Sequence, residues 1–103
     1  MKQVVFKMQL KQGYEAEYRK RHDEIWPELV TLLKQNGIKD YHIYFDKETH
    51  TLIAVQYVDE QAVTDLSQYP LMRKWWDHMA ELMEVNAEGA PVVVILGEVF
   101  SMS

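Results

Sequence analysis

The 103-residue chain has no cysteine. That excludes a disulfide framework, a thiolate zinc site and a cysteine nucleophile. It has only four glycines and three prolines, with no glycine-rich phosphate loop, no glycine elbow around a serine and no H-E-x-x-H pair for a metal. Positive charge is thin: the formal net charge is −5. The longest basic run, Arg19-Lys20-Arg21, covers most of one helical turn instead of forming a stripe. Phosphate binding needs a concentrated positive face, so no nucleic-acid partner is expected. No stretch approaches the ~20 apolar residues that cross a bilayer, so no membrane association is expected. The apolar run near Met1 is too short for a signal peptide. A soluble, intracellular protein is the expectation.

Apolar residues make up 48% of the chain and charged residues 26%. This is the composition of one globular domain spanning 1–103, large enough for a single core. Residues 3 to 10 alternate, with Val4, Phe6, Met8 and Leu10 on one side, which predicts a strand. A helical stretch runs from Tyr14 to Gln35, with Pro27 forcing a kink or opening a second helix, and Gly37 closes it. Residues 38 to 45 and 51 to 58 read as a hairpin across the polar turn 46–49. A short helical segment is expected from Asp59 to about Tyr69, then a helix over 70–84 opened by Pro70, then a strand over 92–100. The order β-α-β-β-α-β is that of a ferredoxin-like α+β sandwich, with helices on one face of a four-stranded antiparallel sheet. The return strand is apolar on both faces, so both faces need cover. A second copy over the outer face would give a homodimer and a dimeric α/β barrel.

Two features point to chemistry. At helical spacing Tyr18, His22, Ile25 and Leu29 share one face. A core stripe normally carries apolar groups alone, and this one carries an imidazole that titrates near neutral pH. It also carries a phenol one turn earlier. His22 is therefore the candidate acid or base. The adjacent Trp75-Trp76 pair is the second feature. Neighbouring helix positions point about 100° apart, so one indole can pack in the core while the other faces a cavity. Indoles stack on the C–H faces of sugars. His42 and His78 could meet across the helix–sheet interface, and His50 falls in a turn. These residues suit a cofactor-free pocket that moves protons on a small ligand that is part polar and part apolar.

The run Tyr18-x-x-Arg21-His22-x-x-Ile25-Trp26-Pro27-Glu28-Leu29 resembles that of the L-rhamnose mutarotases. So do Tyr41-x-Ile43-Tyr44, the pair Trp75-Trp76 followed by Met79, and Glu98-Val99-Phe100. The likeness covers essentially the whole chain. It implies a cytoplasmic homodimer, without metal or cofactor, that interconverts the α and β anomers of L-rhamnose. His22 falls at the family's proton donor, and Tyr18, Tyr41, Trp75 and Trp76 at its sugar contacts. The base could be a tyrosine, a water or a carboxylate. Two competing readings are a cofactor-free monooxygenase or haem-degrading enzyme of the dimeric α/β-barrel class, and a non-enzymatic sugar-binding module.

Overall fold

A computed structural model describes residues 1–62 and 65–103. Strand β1 (Lys2–Gln9) leads to helix α1 (Glu15–Asp23), helix α2 (Pro27–Gln35) and strands β2 (Ile38–Asp46) and β3 (Thr51–Val58). Helix α3 (Pro70–Met79) runs into a 3₁₀ turn (Ala80–Leu82), and β4 (Val94–Leu96) ends the fold. The strand order is β2-β3-β1-β4 and every pairing is antiparallel. This is the ferredoxin-like α+β arrangement expected from the sequence.

The break between the first two helices is set by Pro27. It has no N–H to give and takes the first position of α2, while Trp26 before it is extended at ψ 126°. The expected helix over 59–69 does not form among the described residues; 63 and 64 lie outside them. Backbone turns occupy 60–61 and 67–68 instead. The Asp65 carboxylate accepts from both the N–H and the hydroxyl of Ser67, at 3.0 and 2.6 Å, which satisfies the backbone without a helical turn. Helix α3 stops earlier than Glu84. Met83 turns extended and bridges to Leu10, and the Glu84 N–H donates to the Gln9 carbonyl at 2.9 Å. The last strand is three residues long, not nine. It pairs with Val5, Phe6 and Lys7, and the ladder ends at Gly97, which brings no side chain to pack.

One face of the sheet carries the core. Phe6, Met8 and Leu10 meet Leu52, Ala54 and Val58 beneath Tyr18, Leu29, Met72, Trp75, Met79, Leu82 and Met83, all buried. Strand β2 joins this face with a local irregularity. Ile38 pairs with Val58 and Asp40 with Tyr57, so Lys39 has no partner of its own. This bulge puts Ile38 and Tyr41, three residues apart, on the same core-facing side. Gly37 precedes it at φ +93°. A Cβ there would stand 2.9 Å from the Cα of Ala62. Gly37→Ala is therefore expected to destabilise the fold by about 1–3 kcal/mol, read as a lower melting temperature. An unchanged melting temperature would show that the 59–62 segment yields freely.

Candidate active site

Helix α1 presents Tyr18 and His22 one turn apart on the side facing the sheet. Their rings lie 4.3 Å apart, tilted by 31°. Tyr18 is buried and His22 half-buried. The His22 Nδ1 lies 3.0 Å from the Tyr18 carbonyl oxygen. A carbonyl can only accept, so Nδ1 carries a proton and Nε2 is the nitrogen left for a ligand. Burial lowers the His22 pKa from its usual value near 6.5, partly offset by this carbonyl and by the negative charge of Asp23. In the resting site at neutral pH the ring is mostly uncharged.

Helix α3 supplies the indoles. Trp75 is buried and meets the His22 ring edge-on, 5.3 Å away at 87°. Behind it stands Trp26, 5.1 Å from Trp75 at 83°, and His78 lies 5.6 Å from Trp26. Trp76 is half-buried and lines the same cavity. The pair thus divides its work, one ring in the core and one at the cavity wall.

Strand β2 faces them with Tyr41, whose ring packs edge-on against Phe6 at 6.4 Å. Tyr41 is 37% exposed, and the burial it does have moves its pKa upward, opposed by the Gln56 carboxamide. Tyr18 moves upward too, through burial and then through Tyr41. Both phenols stay protonated at neutral pH and can donate to an oxygen. Gln56 stands opposite Tyr41 across the strands. Tyr18, His22, Ile25, Tyr41, Gln56 and Trp76 open onto one cavity of about 1140 Å³. That exceeds the ~300–1,000 Å³ of usual ligand pockets, which marks an open cleft. Among the described residues no three His, Cys, Asp or Glu converge as metal ligands, and no helix is long and apolar enough to cross a membrane.

The sequence matches the model of the L-rhamnose mutarotase family over residues 3–102. The chain belongs to the L-rhamnose mutarotase family. It is 54% identical over 103 residues to an L-rhamnose mutarotase of Bacteroides thetaiotaomicron, covering 99% of each chain. It is 52% identical over 98 residues to one from Brucella anthropi, covering 94% of this chain and 92% of the other. The crystal structure of an L-rhamnose mutarotase from Formosa agariphila superposes with a TM-score of 0.92 at 45% identity, over the full length of both chains.

For a member of this family the sequence-based site gathers well. Tyr18, His22, Tyr41, Trp75 and Trp76 come from three elements and surround one cleft. His42 and His78 do not meet. His42 follows Tyr41 on the strand and so points to the opposite face, while His78 packs on Trp26. Three neighbours escaped sequence reasoning: Trp26, Arg21 and Gln56. Gln56 did leave a signal, as the one polar residue in the series Leu52, Ala54, Gln56, Val58.

Proposed function

We propose that this chain interconverts the α and β anomers of L-rhamnose, with His22 as proton donor. The observation that supports it most is the Nδ1 bond to the Tyr18 carbonyl. It leaves Nε2 as the ring nitrogen available to a ligand in the cleft that His22 lines with Tyr18, Tyr41 and Trp76. In the imidazolium form Nε2–H gives its proton to the ring oxygen. The bond from C1 to that oxygen breaks, and its electron pair stays on the oxygen. The anomeric hydroxyl loses its proton to a base as the C1 carbonyl forms. Rotation about C1–C2 exposes the other carbonyl face, and reversal of the steps closes the second anomer. The upward shift of both phenols favours water or a carboxylate over a tyrosine as that base. Tyr18 and Tyr41 donate to sugar hydroxyls, and Trp76 stacks on an apolar face of the deoxysugar, with Trp75 behind.

We also propose that the enzyme works in the cytoplasm as a homodimer. The sheet face away from the helices carries the half-buried Val5, Ile53 and Val55 and the exposed Tyr44 and Tyr57. Burying such a surface against a second copy is favourable at roughly 25 cal/mol per Å². Sedimentation equilibrium should give twice the 12.2 kDa chain mass, and a monomer at micromolar concentration would overturn the dimer. The activity is tested by NMR saturation transfer between the two anomeric protons of L-rhamnose. Exchange above the buffer rate, in proportion to protein, is expected. Exchange at the buffer rate with folded protein would reject the assignment.

The pH profile tests the role of His22 separately. The donor is the protonated ring, and its pKa lies below 6.5. Catalysed exchange should therefore rise as pH falls from 8 toward 6, after subtraction of the buffer rate. A profile that falls over that range would make His22 the base at the start of the reaction.

A further inference from the structure

We propose that Arg21 is a positioning residue, tying α1 to the end of α3 so that the His22 imidazole is held against the Trp75 ring. The inference rests on His22 as the acid and goes beyond it by naming what fixes the ring in place.

Helix α1 is poorly anchored by apolar packing. Its sequence is EAEYRKRHD, and Tyr18 is its only buried residue. A nine-residue helix is marginal on its own, and helices of this kind normally rely on an apolar face. What α1 has instead is a guanidinium clamp. Arg21 Nε donates to Glu17 Oε2 at 2.7 Å on its own helix. Nη2 donates to Glu81 Oε1 at 2.7 Å, in the 3₁₀ turn that continues α3. Nη1 donates to the His78 carbonyl, one of the last carbonyls of α3. Such carbonyls lack partners within the helix and carry its negative end, so a cation there is favourable. The fork is planar, and its three contacts fix direction as well as distance. The Arg21 side chain is 16% exposed, while Glu17 and Glu81 are 42% and 67% exposed, so the clamp acts through the geometry of its fork more than through the strength of its ion pairs.

The clamp sits beside the chemistry in sequence and across it in space. His22 is the next residue on α1. His78, whose carbonyl is gripped, lies one turn after Trp75 on α3, and its ring touches Trp75. Sliding α1 along α3 would move His22 off the Trp75 edge. The titratable groups around the imidazole are Asp23 and Tyr18 on its own chain segment, with Tyr41 beyond Tyr18 on β2. From α3 it meets the uncharged Trp75 ring. None of these is an Arg21 contact, so Arg21 reaches His22 through the helix and not through a shared bond.

The test uses Arg21→Ala, Arg21→Lys and Glu81→Ala, with three readouts: thermal melting, L-rhamnose anomer exchange at saturating sugar, and NMR titration of the His22 Cε1 proton. The expected result for Arg21→Ala is a folded protein whose exchange falls roughly tenfold to a hundredfold, the scale that a misplacement of about 1 Å produces. Its His22 midpoint should move up toward that of free histidine as the ring gains water. Arg21→Lys should not restore either value, because one ammonium cannot span three acceptors in a plane. Glu81→Ala removes only the arm to the 3₁₀ turn, and it should shift both readouts the same way by less. Wild-type exchange in Arg21→Ala overturns the proposal. So does slowed exchange with an unmoved His22 titration, and so does full rescue by lysine. If Arg21→Ala does not fold, Glu81→Ala decides: shifted exchange and titration support the clamp, and wild-type values for both overturn it. His22→Ala separates the underlying reading. If that variant keeps full activity, the acid assignment fails, while the titration of Arg21→Ala still reports on the clamp.

Discussion

Replacing His22 by alanine is expected to slow catalysed anomer exchange by about 10²–10⁴-fold, the usual contribution of a positioned general acid. The fold should survive. His22 is half-buried, and the bond it loses is one to a backbone carbonyl on its own helix. A single such bond contributes about 0.5–1.5 kcal/mol. The Tyr18 carbonyl also accepts the His22 backbone N–H within the helix, so it is not left bare. His22→Asn sharpens the experiment. It keeps a donor near the position of Nδ1 but has no group that titrates near neutral pH. The rise in exchange toward acid should vanish in both variants. Wild-type exchange in His22→Ala would remove this residue from the mechanism and direct attention to carboxylates that line the cleft, such as Glu15, Asp23 and Asp65.

The second large effect is expected at Trp75, and it falls on stability first. Trp75 is 6% exposed and touches the rings of His22, Trp26 and His78. Removing a buried tryptophan costs about 3–5 kcal/mol. A domain of this size has only about 5–15 kcal/mol in total. At roughly 4–8 °C per kcal/mol, Trp75→Ala should lower the melting temperature by about 12 °C or more. Activity would fall with it, because the edge that seats His22 is gone. Trp76→Ala makes the contrast. Its ring is half-buried at the cavity wall, so it should melt closer to wild type and lose mainly affinity for L-rhamnose. The two indoles have exchanged roles if Trp76→Ala melts lower than Trp75→Ala.

Much of this architecture could be read in the chain because its apolar residues keep strict periods. Val4, Phe6, Met8 and Leu10 alternate, and the first strand lies where they place it. Pro27 and Pro70 open helices because a residue without an N–H suits a first turn. Two of the errors have one cause: long-range pairing overrode local pattern. Residues 80–84 look helical, but Met83 is needed to bridge Leu10. Residues 92–100 look like a long strand, but only three of them find partners on β1. At the site, the phenols, the imidazole and the indoles stand out in sequence because polar or bulky groups on apolar faces are unusual. Arg21 does not stand out. It reads as one of three basic residues on a solvated helix, and its value comes from acceptors 57 and 60 positions away. Trp26 is hidden in the same way, beside a proline that takes the attention.

The bulge at Lys39 makes the location of the Tyr41 phenol a matter of counting. Ile38 is anchored opposite Val58, and one unpaired residue shifts the phase of everything after it. Were Lys39 to take Tyr57 as its partner in a regular ladder, Tyr41 would pair with Val55 in place of Gln56 and turn its hydroxyl away from the cleft. His42 and Tyr44 would rotate inward in its place. The parity of a short stretch after Gly37 thus decides which aromatic side chains belong to the enzyme and which to its outer surface. A regular ladder through that stretch would invert a wall of the site without changing any residue in it.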